Sequence, residues 1–427
     1  MNVKNELIYL NNAATSWPKP DCVLDAVQEA VRSLPPGQYR SGGSVEQMDV
    51  FDECRALLGK LLGIADSGRI FFTSGATESM NLVLSGLGIP AEQVITTVTE
   101  HNSVLRPLHN LPGIAGNPIL LPCDENGVAD PAEFEKVVKA AAERNPGLLV
   151  LNHCSNVTGA VQDAAAFGEI AKRYGMLFVL DVSQSAGCME VNADAWKADG
   201  VIFTGHKSLM GVSGTGGFYL REGVPFTPAR YGGTGRESEK LVFGPGEAAM
   251  EVGTQNVPGI CALRAGAKWI LEQDKESILG QDRIAVSNRN VKPVWEQDTE
   301  LALEKVKEST QKKGIEEIWK HERNLRRLAV EVLSEIKGIT LYGADLKSPG
   351  PVLSFNADAL SASDLGYILS SSFHIVTRSG LHCTPLIHDC IGSGKTGTVR
   401  ISFSPFNSEE DVHRLADALQ QILHGIG

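Results

Sequence analysis

The sequence predicts an α/β protein, with a large, doubly wound, mainly parallel sheet domain over residues 16–262 and a smaller α+β domain over 263–427 that takes in the N-terminal segment 1–15. Three observations carry this. Short apolar runs alternate with amphipathic stretches through the first two thirds of the chain, and after Leu263 the pattern turns to long charged helices. The 427 residues, 42% of them hydrophobic, are enough for about two or three domains.

Ile70-Phe71-Phe72 opens the strand series and leads into a helix that sets Met80, Val83, Leu84 and Leu87 on one face. Val94-Ile95, Ile119-Leu120-Leu121 and Leu148-Leu149-Val150-Leu151 follow as further strands. Leu177-Phe178-Val179-Leu180 stops at Asp181. Val201-Ile202-Phe203 stops at Thr204-Gly205-His206-Lys207, ahead of a glycine-rich run from Gly211 to Gly217. Brief apolar runs with polar punctuation read as strands buried on both faces, and a parallel sheet places its ligands beyond the carboxyl ends of such strands. Asp181 and Lys207 therefore face one crevice.

Past the helix Ala267-Lys268-Trp269-Ile270-Leu271, a polar insertion occupies about 273–312, read as a solvated surface element with partner docking as the alternative. Strands follow at Val352-Leu353-Ser354-Phe355 and Val399-Arg400-Ile401-Ser402. A last helix starts at the capping-type Ser408-Glu409-Glu410-Asp411 and carries Val412, Leu415, Leu419 and Leu423 on one side.

Composition excludes some function classes. With 39 Lys and Arg against 51 Asp and Glu, the net charge of −12 argues against a nucleic-acid backbone or an anionic membrane as partner. No stretch approaches a membrane span, and the polar start from Met1 to Glu6 lacks a signal-peptide pattern, so the expected location is cytoplasmic. Eight cysteines without the spacing of a disulfide framework fit a reducing compartment.

A carboxylate and an amine at neighbouring strand ends could form a simple ion pair. The glycine-lined surroundings point instead to a reactive amine, because a lysine that condenses with an aldehyde must be neutral and partial burial favours that form. Pyridoxal 5′-phosphate needs such a lysine, and an aspartate beside its pyridine nitrogen keeps that nitrogen protonated so that the ring can absorb electrons. The turn Ser74-Gly75-Ala76-Thr77 leads from strand into helix, where backbone N–H groups and the helix dipole favour a phosphate, although such residues also serve as ordinary caps.

Two other patterns carry no chemistry. Gly392-Ser393-Gly394-Lys395-Thr396 imitates a nucleotide-binding loop, but Asp389 stands where its first glycine belongs. His382, Cys383, His388 and Cys390 fit no common zinc spacing, so no metal is expected.

Taken together, Tyr9 to Thr15, Ser74-Gly75-Ala76-Thr77-Glu78-Ser79, Glu100-His101-Asn102, Asp181-Val182-Ser183-Gln184, Thr204-Gly205-His206-Lys207-Ser208 and Arg400-Ile401-Ser402-Phe403-Ser404 resemble the class V aminotransferase family of fold-type I pyridoxal-phosphate enzymes. The resemblance covers nearly the whole chain. It implies that Lys207 holds the cofactor and Asp181 tunes it. Ala76, Thr77, Thr204 and His206 would bind its phosphate, and His101 would stack on its ring and help move protons. Gln184 and Asn156 would hydrogen-bond the ring hydroxyl or the substrate, and Thr254 would be donated across a homodimer interface. His109, His153 and His374 match no such position.

Arg378-Ser379-Gly380-Leu381-His382-Cys383 resembles the R-x-G-x-H-C segment of cysteine desulfurases, in the subgroup that includes selenocysteine lyase-like enzymes. This implies that Cys383 is the nucleophile, taking sulfur as a persulfide from L-cysteine, or selenium from L-selenocysteine, and passing it to an acceptor protein. A mobile glycine-bearing loop would give it reach, and positive charge from Arg378 and His382 would favour the thiolate. Arg400 would clamp the substrate carboxylate with help from Arg378, since a planar fork suits that group. Asn11 departs from the family's usual aspartate. An aminotransferase or β-lyase in which Cys383 is incidental, and a non-catalytic binding protein on the same fold, are the competing readings.

Overall fold

The strands expected from the sequence all form in the structure, a computed structural model that describes residues 7–33, 50–233, 239–242, 250–273 and 308–425. Of the predicted insertion 273–312, residues 274–307 lie outside the described residues. Strand β1 (Ile8–Tyr9) precedes the helices α1 (Asp21–Arg32) and α2 (Val50–Leu62). The central sheet then takes β2 (Ile70–Thr73), β3 (Val94–Thr97), β4 (Ile119–Leu121), β5 (Leu148–Asn152), β6 (Leu177–Asp181), β7 (Gly200–Thr204) and β8 (Gly216–Leu220), in the order β2-β8-β7-β6-β5-β3-β4. Neighbours from β7 through β4 are parallel, and β8 runs against both β2 and β7.

Successive strand residues feed two separate core layers, which follows from the two-residue period of a strand. Leu149, Leu151, Phe178, Leu180, Val201 and Phe203 pack into one layer with residues of α2 and of α5 (Val257–Leu271). Leu148, Val150, Val179 and Ile202 pack into the other, with α3 (Ala76–Leu87) and α4 (Asn102–Asn110). Both faces of the sheet are thus covered, as its continuous apolar strands require. In α3 the expected stripe holds, with Met80, Val83 and Leu84 buried. The large core also takes residues beyond 262, since Leu263, Ala267, Ile270, Leu271 and Ile318 belong to it.

The chain's last third builds a four-stranded antiparallel sheet, β12-β13-β10-β9, from β9 (Ile339–Tyr342), β10 (Val352–Ala357), β12 (Arg378–Gly380) and β13 (Thr398–Ser402). Its own core joins Leu353, Phe355, Val399 and Ile401 to Val412, Leu415 and Leu419 of the Glu409–His424 helix. Ser408 and Asp411 form a reciprocal capping box at the start of that helix. The N-terminal segment joins this half: β1 pairs in parallel with β11 (Ile375–Val376), and Ile8 and Leu10 lie in the second core.

Candidate active site

Because six strands of the central sheet share one direction, their carboxyl ends form a single rim. Asn152 ends β5 in register with Asp181 at the end of β6, and Thr204 ends β7 beside them. A cavity of about 490 Å³ opens on this rim. Its walls bring together Ala76, Thr77, His101, Asn156, Asp181, Gln184, Thr204, His206, Lys207, Arg378, Cys383 and Arg400. Of the site residues expected from the sequence, Thr254 alone stands apart, exposed and outside this lining.

Lys207 lies on the turn after β7, its carbonyl accepting from Ser16 Oγ at 2.7 Å. Burial brings its amine down to about 8; Asp181 offsets part of that, while the Arg400 and Arg378 guanidiniums push the same way. A sizeable share of the amine is therefore neutral near pH 8. Burial raises Asp181 above the usual carboxylate range, and the hydrogen bond that its Oδ1 accepts from the Ser183 N–H at 2.9 Å, with Lys207, draws it back.

The β2–α3 turn has the form of an anion cradle. Gly75 holds φ +153°, and α3 starts without a side-chain cap, so the first N–H groups of the helix have no partner within it. Strand β8 presses close, since a Cβ on Gly216 would lie 2.5 Å from the Gly75 Cα. His206 Nδ1 and Ser183 Oγ are buried without a hydrogen-bond partner. Burial also lowers His206 to about 4, which leaves a neutral ring. Unpaired polar atoms beside an uncapped helix start, with a depressed amine and a buried carboxylate across the cavity, fit the phosphate, aldehyde and pyridine nitrogen of pyridoxal phosphate.

His101 caps α4: its Nδ1 accepts from the Ser103 N–H at 3.0 Å. That bond places the ring proton on Nε2, and burial, with Lys207 and the nearby arginines, lowers the imidazole to about 4. Gln184 Nε2 donates to the Ala13 carbonyl at 3.0 Å, tying the N-terminal segment to the cavity wall.

The opposite wall comes from the smaller sheet. Arg378 and Arg400 are direct partners on antiparallel β12 and β13. Like charges set side by side repel unless an anion lies between them, which suits a carboxylate ligand. Arg400 is 2% exposed; its Nη1 donates to the Asn156 carbonyl at 3.0 Å, its Nη2 donates to Asn11 Oδ1 at 3.1 Å, and its Nε has no partner. Burial, with Arg378, lowers it to about 9.

Cys383 is exposed and sits at φ +61°, directly after His382 at φ +51°. Two successive non-glycine residues in the left-handed region are costly, so the surroundings must hold them. Asn156 does so, its Nδ2 donating to the His382 carbonyl at 2.7 Å and its Oδ1 accepting from Thr384 Oγ1 at 2.7 Å. The Asn102 N–H donates to the Cys383 carbonyl at 2.7 Å.

Two expectations change here. The loop expected to be mobile is pinned on both flanks of the thiol. Asn156, which lines the cavity as expected of a cofactor or substrate contact, also braces that loop and keeps a second Nδ2 hydrogen for a ligand. His382, expected to add positive charge, is buried, bonded through Nε2 to Thr398 and lowered to about 2 by burial and Arg400; it is neutral. Arg400 and Lys207 are cations that feel the thiol's charge.

Sequence reasoning gave no role to Glu100 and Asn152. Glu100 is fully buried, its Oε1 accepting from the Asn152 N–H at 2.9 Å and from Thr97 Oγ1 at 2.9 Å. Burial lifts its carboxyl to about 8. Its Oε2 and Asn152 Oδ1 both lack partners. The signal available was position, since both stand at the ends of parallel strands. Among the described residues no cluster of three metal-binding side chains exists, and no helix is long and apolar enough to cross a membrane.

The pattern of the aminotransferase class-V family matches residues 8–288 and 300–415. A Pyrococcus abyssi protein named "Probable cysteine desulfurase" is 30% identical over 435 residues, covering 99% of this chain and 95% of that protein. The apo structure of a cysteine desulfurase from Thermococcus onnurineus NA1 superposes with a TM-score of 0.78 at 30% identity, over 99% of this chain and 96% of that one. At 24% identity, the cysteine desulfurase CsdA of Escherichia coli shares the fold, with a TM-score of 0.77 over 99% of this chain and 96% of its own.

Proposed function

The chain belongs to the aminotransferase class-V family, and we propose that it is a pyridoxal-phosphate-dependent cysteine desulfurase, converting L-cysteine to L-alanine and taking the sulfur onto Cys383 as a persulfide. One observation carries the reading: a single cavity holds the depressed Lys207 amine, the buried Asp181, the paired Arg378 and Arg400, and the exposed Cys383 thiol.

The bound cofactor supplies an electrophilic carbon for the substrate amine and a sink for the electrons released when substrate bonds break. Everything else falls to this chain's side chains. Asp181 would keep the proton on the ring nitrogen, and Thr204, His206 and the first N–H groups of α3 would hold the phosphate. Arg400 and Arg378 would orient the substrate through its carboxylate. Lys207 Nζ would take and return the proton at the substrate's α-carbon, with the neutral His101 ring donating from Nε2. Cys383 Sγ would then attack the substrate sulfur: an S–S bond forms, the C–S bond breaks, and its electron pair stays with the carbon skeleton, which takes up a proton and leaves as alanine.

Wild-type protein given L-cysteine should yield alanine and a persulfide on Cys383, while Cys383→Ser should make alanine roughly 100-fold more slowly and carry no persulfide at that position. Pyruvate or 3-mercaptopyruvate in place of alanine, formed equally by both proteins, would favour a β-lyase or an aminotransferase instead. Borohydride reduction followed by peptide mass spectrometry should find the cofactor on Lys207 and nowhere else.

L-selenocysteine is the alternative substrate, distinguished by supplying it under the same assay. The exposed Thr254, outside its own chain's cavity, supports a homodimer in which it serves the second copy's cofactor; sedimentation of a monomer would count against that. Eight free thiols support a cytoplasmic setting, and a sulfur-acceptor protein, such as one used in iron–sulfur cluster assembly, is the expected downstream partner.

A further inference from the structure

The cavity holding Lys207 and a second space both reach Cys383. A groove of about 520 Å³ lies along α3 and α4 and also ends at Cys383. The two spaces share Thr77, His101, Ser103 and Cys383, so the thiol stands in the partition between them. That partition is built in: the Asn102 N–H at the head of α4 holds the Cys383 carbonyl, and Asn156 braces both neighbours of the thiol from the cavity side.

The chemistry of the groove differs from that of the cavity. Its polar wall includes Asn81, Asn102 and Asn110 with the exposed Arg106, and no carboxylate among the described residues lines it. The Arg106 backbone carbonyl accepts from Asn110 Nδ2 at 2.8 Å, but its guanidinium has no hydrogen bond or ion pair among the described residues. A concave space of small-ligand size, one uncommitted cation and a reactive thiol at its inner end select an anionic molecule that reacts with sulfur.

Resting on Cys383 as the sulfur carrier, we propose that this groove is the exit port for sulfur, binding a small thiol that bears a carboxylate, with Arg106 on the carboxylate. In the step, the incoming thiolate attacks the outer sulfur of the Cys383 persulfide. A new S–S bond forms on the acceptor, the Cys383 S–S bond breaks, and Cys383 leaves as a thiolate that takes up the proton lost by the acceptor. No external oxidant or reductant is needed. Substrate and acceptor reach the sulfur from opposite sides.

The test uses holoenzyme charged with 35S-labelled L-cysteine, freed of substrate, and challenged with 3-mercaptopropionate or with uncharged 2-mercaptoethanol. Release of label should be about fivefold faster with the carboxylate thiol at low salt. Arg106→Gln should abolish that preference, and Arg106→Glu should turn it towards the cationic thiol cysteamine. Asn81→Trp, which fills the groove, should slow both thiols. Label that forms but leaves equally fast in every variant overturns the port alone, including the case in which a second copy covers the groove. Failure of any label to appear on Cys383 overturns the desulfurase reading, and the port with it.

Discussion

Glu100 is a fully buried carboxyl at the rim of the central sheet. Buried beneath His101 in the chain and felt by Asp181, its carboxyl titrates near 8 instead of 4.5, so the folded protein keeps a proton that the unfolded chain gives up. The sign follows from linkage: the stability tied to that proton is fully present below about pH 4.5 and is lost as the pH rises through about 8. Glu100→Gln keeps the acceptor for the Asn152 and Thr97 donors but cannot ionise. Thermal melts between about pH 5 and pH 9 should therefore fall less steeply in Glu100→Gln, with a gain of roughly 2–4 °C at the alkaline end. Parallel curves for the two proteins would refute this. A neutral Glu100 also leaves Asp181 without a second negative charge beside it, which favours ionisation of Asp181.

At the scale of elements, α3 and β8 meet at the turn proposed to hold the cofactor's phosphate. Gly216 sits with its Cα face against Gly75, and an added methyl would have to push the turn outward, because its contacts are backbone atoms. Gly216→Ala should weaken pyridoxal-phosphate binding about tenfold, read by titrating the cofactor's absorbance, with the fold retained. Unchanged affinity would show that the turn does not set the cradle. The same scale shows what was legible beforehand. Lys207 and Asp181 could be read from sequence because each lies within three residues of a strand end, a local signal. The pairing of Arg378 with Arg400 depends on the register of β12 against β13, and the brace from Asn156 crosses 226 positions of chain to His382. Neither leaves a local pattern. His382 misled for a related reason: a histidine among arginines looks cationic until its burial is known.

Seen as a whole, the molecule sets a large sheet and a smaller one around the same cavity, and the walls of that cavity are divided between them. Lys207, Asp181 and the β2–α3 turn belong to the large sheet, whereas the arginine pair and Cys383 belong to the smaller one. The run from Ile8 to Lys19 touches both. Leu10 and Ala13 bond to Ser402, while Thr15, Ser16 and Lys19 all donate to the His206 carbonyl next to Lys207. This run therefore works as a splint across a joint. Specific cleavage within it, at an engineered protease site after Ala14, would leave each core its own hydrophobic packing yet release the amine from its alignment with the guanidinium fork. Nicked protein should melt within a few degrees of intact protein while turnover drops steeply, and joint loss of both would mean that the segment is as much foundation as splint.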